Sequence, residues 1–239
     1  MDNRIIGQHI SGQFNKELED LRHKVLTMGG LVEEQIELAI TAFSTGDVEM
    51  AEQVIKQDNQ VDALEVAIDQ ECMQILALRQ PAAFDLRLII TVIKIVNDLE
   101  RAGDMAERIA EMAIQLSGDK NNSRQEEYYE LEHMAELVQN MLHGALDLFA
   151  RMNIEDVTLI TGLDENVDRE YGSIIRQLIT KMMENPRNIT RMLDVLWIAR
   201  ALERTGDLAC NICVHLIYMI KGEDVRHLTQ SELENKIKE

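Results

Sequence analysis

Proline is nearly missing from this 239-residue chain, with 2 copies, and aromatic residues make up only 4%. Glycine stands at 12. Runs of Val, Ile, Thr and Tyr are scarce, while Leu, Ala, Met, Glu and Gln dominate. Together these shortages exclude a strand-rich fold and favour helices. Three cysteines, Cys72, Cys210 and Cys213, cannot build a disulfide framework. The opening MDNRIIGQHISGQF has no apolar core, so no signal peptide is read. The longest apolar stretches, such as Leu86–Val96, carry charges and are too short to span a bilayer. A soluble, cytoplasmic protein is expected. Basic residues are the minority, 24 against 43 acidic ones, for a net charge of -19. That balance excludes direct nucleic-acid binding, which needs a cationic surface. It disfavours anionic membranes for the same reason. A cation or a basic protein patch would be attracted. The phosphate-binding loop, the nucleotide-binding glycine fingerprint and the G-x-S-x-G elbow are all missing.

What is present is a repeat. Shifted by 106 residues, Val32 falls on Val138, Ala39 on Ala145, Phe43 on Phe149, Asp58 on Asp164 and Asp62 on Asp168. Further on the shift becomes 103, and Leu99-Glu100-Arg101-Ala102-Gly103-Asp104 meets Leu202-Glu203-Arg204-Thr205-Gly206-Asp207. Hydrophobic content of 46% suffices for a core. The chain reads as two copies of one unit, residues 1–120 and 121–239.

Punctuation divides each unit into three helices. In the first, breaks fall at Gly46, at Pro81 and at Ser117-Gly118, with Asp47 as an N-cap. In the second they fall near Asn153, at Asn185-Pro186 and at Lys221-Gly222. Short links between long helices imply antiparallel neighbours. The expected fold is all-α: tandem three-helix bundles with six long antiparallel helices. Leu88, Val92, Ile95, Leu99, Ala102, Ala106 and Ile109 mark the core face of the third helix. Gly29-Gly30 is expected to bend or thin the first helix. The polar tail after Gly222 is expected to be loosely ordered.

Each repeat carries two acidic pairs at i, i+4: Asp58/Asp62 with Glu100/Asp104, and Asp164/Asp168 with Glu203/Asp207. Residues four apart share a helix face, about 6 Å along the axis. Counted from the intervening turn, Asp62 and Glu100 lie at similar heights, as do Asp58 and Asp104, within about 3 Å. Four carboxylates per repeat therefore converge if the two stripes face each other. Converged anions repel and require neutralisation. Oxygen ligands suit Mg, Ca or Mn, and carboxylate clusters also hold iron. The competing arrangement is an ion-pair network through Arg101 and Arg204, or a solvated acidic face.

The halves differ. The first extends its stripes with Glu65, Asp69, Glu107 and Glu111, where the second has Tyr171, Ile175, Cys210 and Val214. Stronger cation binding is expected in the first repeat. Cys210 and Cys213 read as core thiols, since a zinc ribbon needs two such pairs. Glu130 and His133 form a single E-x-x-H, where di-iron enzymes use two. His143 and His215 read as satisfied helix residues.

LERAGD (Leu99–Asp104) and LERTGD (Leu202–Asp207), together with RQPAAFDLR (Arg79–Arg87), LTMGG (Leu26–Gly30), HISGQFNKELE (His9–Glu19) and YMIKGEDVRH (Tyr218–His227), resemble the PhoU family over essentially the whole chain. The resemblance implies two three-helix bundles, multinuclear metal sites and frequent dimerisation. The metal motif then falls on Asp58, Asp62, Glu100, Asp104, Asp164, Asp168, Glu203 and Asp207, with Mg, Mn, Fe or Zn as the ion. The family has Glu where Val214 stands, which weakens the second site. The resemblance also implies a non-enzymatic negative regulator of phosphate uptake and of the phosphate-starvation response. Its partners would be the sensor histidine kinase PhoR and the Pst transporter ATPase PstB, with membranes reached only through those partners. A metal-free helical scaffold and a carboxylate-bridged metal enzyme remain as alternatives.

Overall fold

The computed structural model describes residues 12–118, 129–226 and 228–238. The boundary expected at 120/121, and the segment around His9, lie outside the described residues. Among those described, all regular structure is helical. Helices α1 (Gly12–Thr45), α2 (Val48–Arg79) and α3 (Ala83–Ser117) form the first bundle. Helices α4 (Tyr129–Arg151), α5 (Val157–Glu184) and α6 (Ile189–Lys221) form the second, with a short 3-10 turn, Pro186–Asn188, between α5 and α6.

The helix ends follow local chemistry. Asp47 Oδ1 accepts from the Met50 amide at 3.0 Å, satisfying one of the orphan donors of the first turn of α2. Gly222, at φ 77°, ends α6, and its N–H returns to the Tyr218 carbonyl at 2.9 Å. Asn185 precedes Pro186, and its side chain accepts from the Arg187 amide.

Helices α2 and α5 are the outer members: among described elements α2 packs only on α1 and α3. The seam between the bundles is α3 against α6, supported by α1 against α4. Helix α3 is therefore buried on two sides. The expected stripe from Leu88 to Ile109 faces the core, and Ile89, Val96 and Ala110 are buried beside it. Across the seam, Arg87 Nε donates to the Met219 carbonyl at 3.0 Å, and Arg22 Nη2 to that of Ala150 at 2.9 Å. Asp98, 4% exposed, faces His215 Nε2 at 3.2 Å.

Helix α1 runs unbroken through Gly29-Gly30, and Gly29 thins it as expected. A Cβ at Gly29 would stand 2.6 Å from a Leu146 methyl, so this glycine lets α4 approach α1. One expectation needs correction: the tail is more ordered than its polarity suggested. Residues Gln230–Lys238 form α7 against α5, with Leu233 buried. Lys221 Nζ donates to the Lys236 and Ile237 carbonyls at 2.6 and 3.1 Å, neutralising the open C-terminal end of this helix.

Candidate metal centre

In the first bundle, α2 and α3 run side by side, and each turns an acidic stripe toward the other. Asp58 sits behind the stripe, 8% exposed, while Asp62 and Asp104 are at the surface. One carboxylate oxygen each from Asp58, Asp104 and Glu107 lie within 4.8 Å of one another. Among the described residues this is the one set of three His, Cys, Asp or Glu side chains that converges so. Asp58 and Asp104 are one of the two pairs placed at similar heights by counting from the turn. Glu107 had been read only as an extension of the stripe. It joins because position i+3 from Asp104 keeps it on the same face. Asp62 and Glu100 stand outside this tight set but within electrostatic reach of it.

That reach is visible in the proton affinities. Burial, reinforced by the charges of Asp104, Glu65, Asp62 and Asp58, pushes the Glu100 carboxyl up to about 7. Burial also raises Asp58, with Asp62 and Asp104 adding to it and a Gln35 hydrogen bond opposing. Asp104 and Glu107 are raised too, first by burial and then by neighbouring carboxylates, with Arg101 partly offsetting the effect at Asp104. Six acidic groups, Asp58, Asp62, Glu65, Glu100, Asp104 and Glu107, thus share a partly dry site. Among the described residues, no basic side chain is ion-paired to Asp58, Asp62, Glu100 or Asp104. Arg101, the expected competitor, turns instead to Asp98 at 3.6 Å.

Two neighbours build the cradle. Gln35 of α1 is 1% exposed and donates from Nε2 to Asp58 Oδ1 at 3.3 Å, while its Oε1 has no partner. Sequence reading missed it; the signal was an amide inside the apolar stripe of α1, beside Ile36 and after Val32. Gly103 is the second. A Cβ there would lie 3.0 Å from Asp58 Oδ1 and 3.4 Å from Gln35 Oε1. The glycine of LERAGD therefore makes room for the Asp58 carboxylate.

The second bundle departs from this plan. Asp164 and Asp168 on α5 and Glu203 and Asp207 on α6 interact electrostatically, but no three of them converge as the first set does. Met141 and Cys210 occupy the places of Gln35 and Glu107. Burial and the charges of Asp168 and Asp207 push the Asp164 carboxyl up to about 6, with the neighbouring Cys210 thiol opposing. Arg200 Nη1 pairs with Glu203 Oε1 at 2.6 Å and Arg204 Nη1 with Asp207 Oδ2 at 3.1 Å. These arginines are ion-paired to the second-bundle acids, where in the first bundle Arg101 acts on Asp104 only at a distance. A Cβ at Gly206 would find its neighbours at 3.6 Å or more, so the cradle is looser.

The discounted candidates are accounted for by partners. Cys213 is buried, and desolvation holds its thiol up near 12. His143 Nδ1 meets Glu33 at 2.8 Å, His133 Nδ1 meets Glu170 at 3.4 Å, and Glu130 accepts from Gln177 at 2.6 Å. No helix of the described residues is long and apolar enough to cross a membrane.

The chain matches the PhoU domain family over residues 25–113 and 131–215, one match in each bundle. It is 44% identical over 234 residues to the phosphate-specific transport system accessory protein PhoU of Escherichia coli K12, covering 98% of this chain and 96% of that one. A PhoU homolog of Pseudomonas aeruginosa is 47% identical over 229 residues, covering 96% and 94%. The crystal structure of PhoU from Pseudomonas aeruginosa superposes with a TM-score of 0.84 at 47% identity, over 88% of this chain and 100% of that one. The phosphate transport system regulatory protein PhoU from Streptococcus pneumoniae gives 0.81 at 33% identity, over 89% and 99%.

Proposed function

The chain belongs to the PhoU family, and from that premise we propose that it is a cytoplasmic negative regulator of phosphate uptake and phosphate-starvation signalling. In this reading it is a cation-binding adaptor between the Pst transporter ATPase PstB and the sensor histidine kinase PhoR. It works as a homodimer and catalyses no reaction, and its two units are residues 1–120 and 121–239. The names of its relatives support the phosphate-transport role.

The observation that carries the adaptor reading is the Asp58–Asp104–Glu107 convergence without a basic partner. Its donor set is all oxygen and partly open, since Asp104 is exposed. Such a set fits Mg, Mn or Fe better than Zn, which favours nitrogen and sulfur. The orphaned Gln35 Oε1 beside Asp58 is consistent with a polar occupant. A bound cation supplies the missing positive charge. The chain then holds α2 and α3 at a fixed separation, because Asp58 belongs to one helix and Asp104 and Glu107 to the other. That fixed surface is what the partners recognise when phosphate is plentiful. Asp62 and Glu100 tune the site from its rim.

For the second bundle, the Arg200–Glu203 and Arg204–Asp207 pairs favour a metal-free scaffold. There Asp164, Asp168, Glu203 and Asp207 hold a cation only weakly.

The test is genetic. A deletion strain should express its phosphate-starvation genes in phosphate-rich medium, and Asp58→Asn/Asp104→Asn should fail to restore repression while still accumulating as folded protein. Repression that persists in the deletion strain defeats the regulatory reading. Full rescue by the double variant defeats the cation's part in it.

A further inference from the structure

A groove of about 510 Å³ lies between the bundles, along the seam of α3 and α6. Asp104 and Glu107 line one wall and Arg200 and Arg204 the other, with Arg108 and Trp197 beside them. We propose that this groove seats a tetrahedral oxyanion of the phosphate type, held between a cation on the first-bundle carboxylates and the guanidinium groups of α6. The inference rests on the cation reading above and names what completes that site.

The first support is the placement of the carboxylates. Two of the converging three reach the groove, while Asp58 closes the set from the protein side. Asp58, Asp104 and Glu107 would hold a cation at the edge of the groove, where it would supply positive charge to an anion. On the protein side, the fully buried Gln35 donates to Asp58 and leaves its own Oε1 unpartnered beside it, so the inner end of the carboxylate set still has an unmet acceptor.

The opposite wall is the second support. Arg200 and Arg204 are each tied through Nη1 to a carboxylate on their own helix, which fixes their direction. Their side chains remain 49% and 38% exposed. A guanidinium carries five N–H donors in a fork that matches phosphate oxygens, so one ion pair leaves donors to offer. Arg108 is steadied likewise, by Glu111 at 2.9 Å and by the Trp197 ring at 5.7 Å.

Charge dictates the order of events. The three acids of the groove (Asp104, Glu107, Glu111) balance its three arginines (Arg108, Arg200, Arg204), and the chain as a whole carries -19, so the groove without a cation has no net positive charge to hold an anion. The cation must bind for the oxyanion to follow. By linkage, the oxyanion must then tighten the cation by the same factor.

The chain's single tryptophan, Trp197, stands in the groove wall 52% exposed and serves as the reporter. Full-length protein is titrated with Mg2+ alone by calorimetry. It is then titrated with orthophosphate, with sulfate and with O-phosphoserine, each with saturating Mg2+ and with EDTA, following heat and Trp197 fluorescence. Phosphate should bind with Mg2+ and not with EDTA, and should tighten Mg2+ by at least tenfold. Arg200→Gln/Arg204→Gln should lose at least tenfold in phosphate affinity and keep the affinity of the tightest Mg2+ site, the one that Asp104→Asn removes, within twofold. Arg204→Lys, which keeps the charge without the fork, should fall between; thermal melts of both variants verify folding. Tighter binding of O-phosphoserine than of orthophosphate identifies an esterified ligand, and the reverse a free anion. Mg2+ binding without any phosphate response, or phosphate binding equal in EDTA or in the arginine variant, overturns the inference alone. Failure of Mg2+ to bind overturns it together with the cation reading.

Discussion

Replacing Gly103 and Gly206 in turn by alanine separates a glycine kept for the site from one kept for packing, because the two occupy the same place in the two repeats. Alanine in a helix interior is worth about 1 kcal/mol over glycine. At Gly206 the new Cβ meets its neighbours at 3.6–3.7 Å, ordinary contact. Gly206→Ala should therefore stabilise by about 1 kcal/mol, or about 2–4 °C in Tm for a chain of this size. At Gly103 the Cβ would stand 3.0 Å from Asp58 Oδ1, the same oxygen that accepts from Gln35. The carboxylate must retreat, and that buried hydrogen bond goes with it, at a cost of about 1–3 kcal/mol. Gly103→Ala should then be destabilising by about 1 kcal/mol net, once the propensity gain is subtracted. Moving Asp58 away from Asp104 and Glu107 should also cut cation affinity by roughly tenfold, on the order of 1.4 kcal/mol. Thermal melts in EDTA and calorimetric titration with Mn2+ read both effects. A Gly103→Ala protein that gains stability as Gly206→Ala does, with unchanged Mn2+ affinity, would refute the reasoning.

Asp104→Asn should abolish the tightest cation binding, whereas Asp207→Asn should leave it nearly intact; equal losses in calorimetry would contradict the asymmetry of the repeats. The cation-free protein should lose stability as pH rises from about 4.5 to about 7. Glu100 keeps its proton in the folded state up to about 7, while its ordinary value is 4.5, so the folded chain holds the extra proton in that window. Cation affinity should climb over the same range, since the ion competes with that proton. Glu100→Gln should flatten this part of the stability profile in EDTA melts, and an unchanged slope would count against the assignment. Leu99→Ala, at a fully buried position of α3, should cost about 2–5 kcal/mol in chemical denaturation, with the cost falling on both bundles because α3 forms the seam. A loss confined to the signal of one bundle would speak against a shared core.

The unevenness of the repeats has a consistent physical form. Gln35, Glu65, Asp69, Glu107 and Glu111 are replaced by Met141, Tyr171, Ile175, Cys210 and Val214. Each change removes a polar or charged group from the face between the second and third helices of the repeat. What charge remains in the second copy is met by Arg200 and Arg204. Repulsion between carboxylates is thus relieved by ion pairs in one copy and not in the other.

The helices and their breaks were legible in the chain itself, because propensity, capping and periodicity are local. Asp47, Pro81, Pro186 and Gly222 mark ends that the backbone obeys, and the duplicated hexapeptides fix the pairing of the halves. The similar heights of Asp58 and Asp104 also followed from counting, since an antiparallel hairpin turns sequence distance into height. Which carboxylates close to contact did not follow. That Glu107 converges while Asp62 stays at the surface depends on the rotation of α2 against α3, which packing across the whole bundle sets. Only tertiary structure could reveal Gln35 arriving from α1, Arg101 turning away to Asp98, or α6 placing its arginines across a groove from the acids of α3. These contacts join residues far apart in the chain, and their geometry is decided by how two cores pack along one seam.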